Sequence, residues 1–509
     1  MLRYLSGIDM SCGGRSRPVT VTVFKTDGGR QAPAGSTPVA LRHPFDRALL
    51  PSTHAVLAHP TVAALRTSLS HDILASLVRQ AKEMLNGART KQEALDLVVD
   101  DVVRAAASLT LPSRRLINAT GIVIHSGLGT APLSPMAQAR MLEAAGATPT
   151  GAEGLGGRTE VAERQLRVLT GAEAACVTVQ NAATCTLLGA ALAAGREIVC
   201  AARDLLEISH GICLGDLIQA GGARVVPVGS ANCVHLADYE RAINPRTALV
   251  LRIWHSNYAS TGYTSHVTTQ ALARLAHTHD VPLAVNLGAG SLVDLRERGL
   301  PFSPTIQGVL SEGTDLVLAS GDKLIGGPQA GIVVGAADLI QQLVVHPLYR
   351  AVRPAKLEIA ALEGTLASYL AGRPWEEIPV LRMLAATPMQ LEERARAIAT
   401  AAAAGRFDAT AISDTAMCGG AALPGAFLLT WAVRLTSTTE HPDALYRRFQ
   451  QCHVVGRRTK DAFLLDLRSV CPEDDKTLMG AIGEVAVHNS AVVGPEPTFQ
   501  RGASELLTE

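Results

Sequence analysis

The chain has 509 residues, 47% of them hydrophobic and 18% charged, and its 46 Lys+Arg balance 46 Asp+Glu. That composition excludes a disordered chain and a global polycation, so a nucleic-acid partner would need a local basic surface. No apolar run reaches the length of a membrane span and the start has no signal-peptide core, while nine scattered cysteines without a Cys-x-x-Cys argue against a zinc site or disulfide framework and for a cytoplasmic protein with reduced thiols.

In chain order, residues 1–44 carry six basic and two acidic residues among Gly, Ser and Pro, and read as a flexible basic arm. Residues 45–115 turn helical. Ile73, Leu77, Ala81 and Leu85 recur at three- and four-residue spacing, as do Leu95, Val99, Val102 and Ala106, with Gly87 between the runs. This stretch has eight Lys/Arg against six Asp/Glu from 61 to 115, a weak positive excess.

From 116 to 385 short β-branched strands alternate with helices: 197–201, 223–228, 248–253, 282–286, 316–320 and 331–334, with a helix over 268–277. Strands apolar on both faces predict a mainly parallel sheet covered on both sides, an α/β domain. Ligands of such sheets sit at the carboxyl ends of the strands. His255, Asn286 and Lys323 lie just beyond three such ends. Residues 386–495 read as a small α+β domain, with helices over 389–404 and 443–450 and strands at 428–435 and 462–468. Residues 496–509 are a tail.

Four segments carry the chemistry. The lysine segment is Leu316-Val-Leu-Ala-Ser-Gly-Asp-Lys-Leu-Ile-Gly-Gly-Pro-Gln-Ala-Gly331, followed by His346-Pro-Leu-Tyr-Arg-Ala-Val-Arg353. A lysine at the end of a buried strand has its amine pKa lowered by desolvation and is suited to hold a carbonyl cofactor as a Schiff base. Taken alone, such a lysine is more often a surface residue in a turn. The other segments are Ile117-Asn-Ala-Thr-Gly121 running on to His125-Ser-Gly-Leu-Gly-Thr130-Ala, Gln180-Asn-Ala-Ala-Thr184, and Asn286-Leu-Gly-Ala-Gly290. The turn Asn181, Ala182, Ala183, Thr184 opens an apolar helix whose N–H groups suit a phosphate. Thr184 and Ser320 are positioned to add hydroxyl contacts. Cys185 and Cys213 lie near these segments and read as core packing.

Together these motifs strongly resemble the bacterial selenocysteine synthase family, the L-seryl-tRNA(Sec) selenium transferases, over about residues 51–472. The resemblance implies a fold-type-I transferase dependent on pyridoxal 5′-phosphate and assembled as a homo-oligomeric ring of dimers, a decamer. It implies a tRNA-reading N-terminal domain, and conversion of tRNA(Sec) charged with serine to selenocysteyl-tRNA(Sec) through an aminoacrylyl intermediate, with selenophosphate as donor. Lys323 then matches the cofactor lysine, Arg158 a further catalytic arginine, and Arg350 and Arg353 the anion-binding arginines. Asn286 matches the residue that meets the pyridine nitrogen.

The departures fall in the site. The family's Asp-Leu-Gly-Ser-Gly is Asn286-Leu-Gly-Ala-Gly here, and a neutral amide cannot hold the ring protonated as a carboxylate does. Two expected arginines are Thr130 and Ala259, Arg-Gly-Glu has become Ala202-Arg-Asp204, and Lys-Arg-Gly-Ser-Arg-Tyr has become Gly154-Leu-Gly-Gly-Arg-Thr159. These losses leave open two other readings: an enzyme of this descent acting on a small amino acid or amino sugar, and a catalytically weakened paralogue that binds tRNA.

Overall fold

The computed structural model describes residues 47–85, 88–110, 115–146, 159–205, 207–209, 211–403 and 407–487. The chain divides into two compact units, the first ending at Ser113 and the second starting at Arg114. In the first unit the two long helices are His71–Met84 and Lys91–Thr110, preceded by the short helices Thr53–Ala58 and Pro60–Ala64. Both periodic runs of the sequence fall on the long pair, and Leu74, Val78, Val98 and Val102 meet in their shared core. Ser70 starts the first long helix by accepting from the Ile73 N–H, which satisfies one of the amides a helix start leaves open. Gly87 and the tail from 496 lie outside the described residues, as does the basic arm.

The second unit is built on a seven-stranded sheet. In chain order its strands are β1 (Ala174–Thr178), β2 (Glu197–Ala201), β3 (Arg224–Val228), β4 (Thr247–Ile253), β5 (Leu283–Asn286), β6 (Leu316–Ser320) and β7 (Gly331–Gly335). Across the sheet they stand in the order β1-β7-β6-β5-β4-β2-β3. Six run parallel; β7 alone is antiparallel to both neighbours. All residues of β2, β5, β6 and β7 are buried, which is why these strands read as unbroken apolar runs. Within this sheet β1 is the strand the sequence hides, because Ala-Ala-Cys-Val-Thr is too small-sided to stand out from the loop before it.

A five-stranded sheet follows in space. Its spine is the long hairpin Asp408–Gly419 and Ala422–Thr436, extended on one side by Phe463–Asp466 and Arg457–Arg458. The helix Pro388–Ala403 packs on it. The expected strand at 428–435 is half of this hairpin. Its partner was not anticipated, since Asp408-Ala-Thr-Ala-Ile-Ser-Asp-Thr is poor in β-formers and half exposed.

The other edge strand comes from far away. Ile122–Ile124 pairs parallel with Met417 and Gly419, and Ile117–Asn118 pairs parallel with Val454–Val455. The Ile-Asn-Ala-Thr-Gly signature therefore splices the start of the second unit into its last sheet. Asn118 holds the splice, donating to the Ile122 carbonyl at 2.8 Å and accepting from the Thr120 N–H at 3.1 Å. Gly121 has φ +78° and lies against Asp466, where any Cβ would collide with the carboxylate.

Candidate active site

The carboxyl ends of β5 and β6 and the chain just beyond β1 converge. Asn286 is the last residue of β5 and stands level with Leu318 of β6. The next rung joins the Ser320 N–H to the Gly288 carbonyl at 2.9 Å. Lys323 follows in a tight turn held by Gly326 N–H to Lys323 O at 2.9 Å and Gly327 N–H to Gly321 O at 2.8 Å. Gly326 has φ +71°, and a Cβ there would run into Ile378. The lysine is thus presented by a clamped backbone. Burial holds its amine below the usual lysine pKa, with the neighbouring Asp322 carboxylate opposing that shift. Asp322 is itself pushed up by burial, against the pull of Lys323 and a hydrogen bond from Thr130.

Thr130 reaches Asp322 because His125-Ser-Gly-Leu-Gly-Thr130 curls back on itself, with the Thr130 N–H on the His125 carbonyl at 3.2 Å and φ +67° at Thr130. The Ala131 N–H then donates to the Asp322 carbonyl at 3.2 Å. His125 sits beside this turn with Nδ1 buried and unpartnered among the described residues, and burial lowers its pKa.

Across from the lysine, the helix Asn181–Leu192 begins directly after β1 without a side-chain cap. The N–H groups of Asn181, Ala182 and Ala183 have no acceptor among the described residues; that of Thr184 bonds Gln180 O at 3.1 Å. A helix start with three open donors suits an anion. The Thr184 hydroxyl does not join them. It is 0% exposed and bonded to Thr178 Oγ1 at 2.6 Å and Gln180 O at 3.2 Å. The Thr184 hydroxyl is therefore spent inside the fold, and this helix start offers backbone donors alone.

Asn286 is 1% exposed and bonded at both ends of its amide. The Gly288 N–H, at 2.9 Å, requires an acceptor and so fixes the amide oxygen on that side. Asn181 Nδ2 donates to the same oxygen at 2.8 Å, and Asn286 Nδ2 reaches Cys185 Sγ at 3.2 Å. Burial pushes the Cys185 thiol up to about 12. The pairing leaves Asn181 Oδ1 buried with no donor among the described residues.

Arg353 is brought to the same end of the sheet, since the Val352 carbonyl accepts from the Val179 N–H at 2.8 Å. Its charge is felt by Glu163, whose carboxyl is pushed up mainly by burial. Arg350 is exposed near the end of the short helix Pro347–Ala351. Arg158 lies outside the described residues. His255 lies just beyond β4, as the sequence reading places it, and pairs with Asp204 beyond β2, 2.8 Å away. Asp322 and His125 have no role in the sequence reading, and Cys185 reads there as core packing, whereas the structure sets its thiol against Asn286. Asp322 was signalled only by standing next to the lysine.

This donor set fits pyridoxal phosphate. Lys323 offers a desolvated amine for the aldehyde, and three unspent N–H groups would serve a phosphate. Buried polar atoms at Asn181 and His125 await partners.

A family model described as L-seryl-tRNA selenium transferase matches residues 116–471. The L-seryl-tRNA(Sec) selenium transferase of Moorella thermoacetica is 36% identical over 458 residues, covering 86% of this chain and 97% of the relative. That of Hyphomonas neptunium is 37% identical over 459 residues, covering 86% and 98%. Among solved structures, D-glucosaminate-6-phosphate ammonia-lyase superposes with a TM-score of 0.53 at 20% identity, covering 75% of this chain and 98% of that one.

Proposed function

The chain belongs to the family of L-seryl-tRNA selenium transferases, and from that membership we propose that it converts seryl-tRNA(Sec) to selenocysteyl-tRNA(Sec) with pyridoxal 5′-phosphate held at Lys323. Its fold is the fold-type-I architecture of pyridoxal phosphate-dependent transferases. The observation that carries the reading is the pairing of a clamped, half-buried lysine with an uncapped helix start at the same sheet end.

Bound pyridoxal phosphate supplies an electron-withdrawing ring that makes the α-C–H of an attached amino acid acidic. Lys323 would hold the cofactor through its amine, and the same amine would serve as the base that accepts the α-proton of the substrate. A lowered pKa keeps more of that amine neutral at physiological pH. The N–H groups of Asn181, Ala182 and Ala183, with the Ser320 hydroxyl, receive the phosphate. Arg350 and Arg353 hold the anionic groups of the tRNA end and of selenophosphate, and Arg158 acts as a further catalytic arginine. Net transfer breaks the seryl Cβ–O bond, the hydroxyl leaving as water, and forms Cβ–Se from selenophosphate, whose Se–P bond is cleaved by water to release phosphate. The first unit reads the tRNA, and the chain assembles as a ring of dimers.

Complementation of a bacterial strain lacking its own selenocysteine synthase tests the reaction. Selenoprotein synthesis should return with the wild-type chain and fail with Lys323→Ala, whose purified form should also lack the cofactor's visible colour. No rescue by the wild-type chain would overturn the reading.

A further inference from the structure

The sheet holds a second crevice. From β2 the chain moves outward to β3, and from β4 it moves the other way through β5 and β6, so the strand order reverses between β2 and β4. Open α/β sheets hold ligands beyond the carboxyl ends of the strands at such a reversal. A cleft of about 320 Å³ lies there, lined by Arg203 and Asp204 beyond β2, by Trp254, His255 and Tyr258 beyond β4, and by Phe302.

Its polar wall is fixed. His255 Nε2 lies 2.8 Å from Asp204 Oδ1, and Arg203 Nη2 lies 3.4 Å from His255 Nδ1. A guanidinium only donates, so Nδ1 accepts and the ring gives its Nε2 proton to Asp204. Arg203 is 8% exposed and its Nη1 donates to the carbonyls of Asn232 and Ser265, both at 3.0 Å. Its Nε–H is buried and has no acceptor among the described residues. An unspent buried donor on a charged group is costly, and an acceptor brought by a ligand removes that cost.

The other wall is aromatic. Tyr258 stacks on His255 with ring centres 4.7 Å apart, and Trp254 meets Phe302 edge to face at 6.1 Å. Arg252 stands over the Trp254 ring at 5.6 Å, which adds a second cation to the cleft. Phe302 is 55% exposed at the mouth. Rings flanked by arginines match a planar base attached to a sugar and a phosphate.

The cleft also communicates with Lys323. The Trp254 N–H donates to the Asn286 carbonyl at 2.8 Å. β4 stands two strands from β6, so their ends are separated by about 10 Å, twice the spacing of neighbouring strands. A ribose carrying an amino-acid ester spans that gap. Resting on the reaction proposed above, we propose that this cleft seats the 3′-terminal adenosine of the aminoacyl-tRNA, with the seryl ester reaching across to Lys323.

The test uses the full-length, cofactor-loaded protein, with adenosine 5′-monophosphate as probe and Phe302→Ala as an exposed variant that leaves the core intact. AMP should compete with seryl-tRNA(Sec), and ribose 5-phosphate should not. In Phe302→Ala the KM for seryl-tRNA(Sec) and the inhibition constant of AMP should both rise about tenfold, the order of one lost stacking platform. AMP should also quench tryptophan fluorescence, and Trp254→Phe should lose that signal. If the wild type turns over and both constants are unchanged in Phe302→Ala, the cleft assignment is overturned and the reaction stands. If the wild type does not turn over seryl-tRNA(Sec), the reaction is overturned. In that case quenching lost in Trp254→Phe supports a nucleoside site, and absence of quenching overturns it.

Discussion

Asn286 meets the end of β5 with an amide whose oxygen takes two donors and whose nitrogen has found a sulfur. An aspartate fits the same place without rearrangement. One carboxylate oxygen keeps the Gly288 and Asn181 donors, and the other receives the Cys185 S–H. Asn286→Asp should therefore fold normally and raise the single-turnover rate on seryl-tRNA(Sec) by at least about tenfold, roughly 1.4 kcal/mol of barrier. An unchanged or lower rate would refute the view that the amide weakens the electron sink. Asp322 bears on the lysine from the other side. Among the described residues its carboxylate is the charge that raises the Lys323 pKa, against burial. Asp322→Asn removes that support, so the pKa falls further and neutral amine persists to lower pH. The midpoint of cofactor capture, followed by its visible colour across a pH series, should move down; a midpoint that moves up would contradict this. The lysine itself was legible because its surroundings are contiguous in sequence. The Asn181–Asn286 contact was not, because 105 residues separate the partners and only the strand register brings them together.

The lysine turn shows how an element is tied to its neighbours. Gly326, at φ +71°, faces Ile378 and Val380 at a distance no Cβ tolerates. Gly326→Ala should cost about 2 kcal/mol from overpacking and a left-handed alanine together, read as a lower thermal midpoint. It should also loosen Lys323, so cofactor affinity falls with stability; an unaltered melting point would show that the clamp has slack. Elements buried on both faces were the readable ones: β2 and β6 appear at the expected residues because burial demands unbroken apolar runs. Asp408–Gly419 was unreadable because one face meets solvent and its register comes from the hairpin partner. The same limit applies to Ile-Asn-Ala-Thr-Gly, whose chemistry-like look conceals a splice between distant strands.

At the scale of the molecule, the first unit owns a core of its own and the second owns the seven- and five-stranded sheets. A chain starting at Arg114 should still capture pyridoxal phosphate but lose its preference for tRNA(Sec) over bulk tRNA in a gel shift; retained preference would place tRNA reading in the second unit. No helix among the described residues is long and apolar enough to cross a membrane. The parallel pairing of Ile122–Ile124 with Met417–Gly419 has a consequence for how the protein is made. The edge strand leaves the ribosome about 300 residues ahead of its partner, a wait of roughly 15–60 s at bacterial or eukaryotic elongation rates. During that interval three apolar residues of a future sheet edge remain unmated while the lysine-bearing sheet closes behind them. Slow synthesis or premature truncation would leave a nascent chain able to fold its catalytic sheet yet unable to seal its own beginning, and such chains are the ones a chaperone would need to shelter.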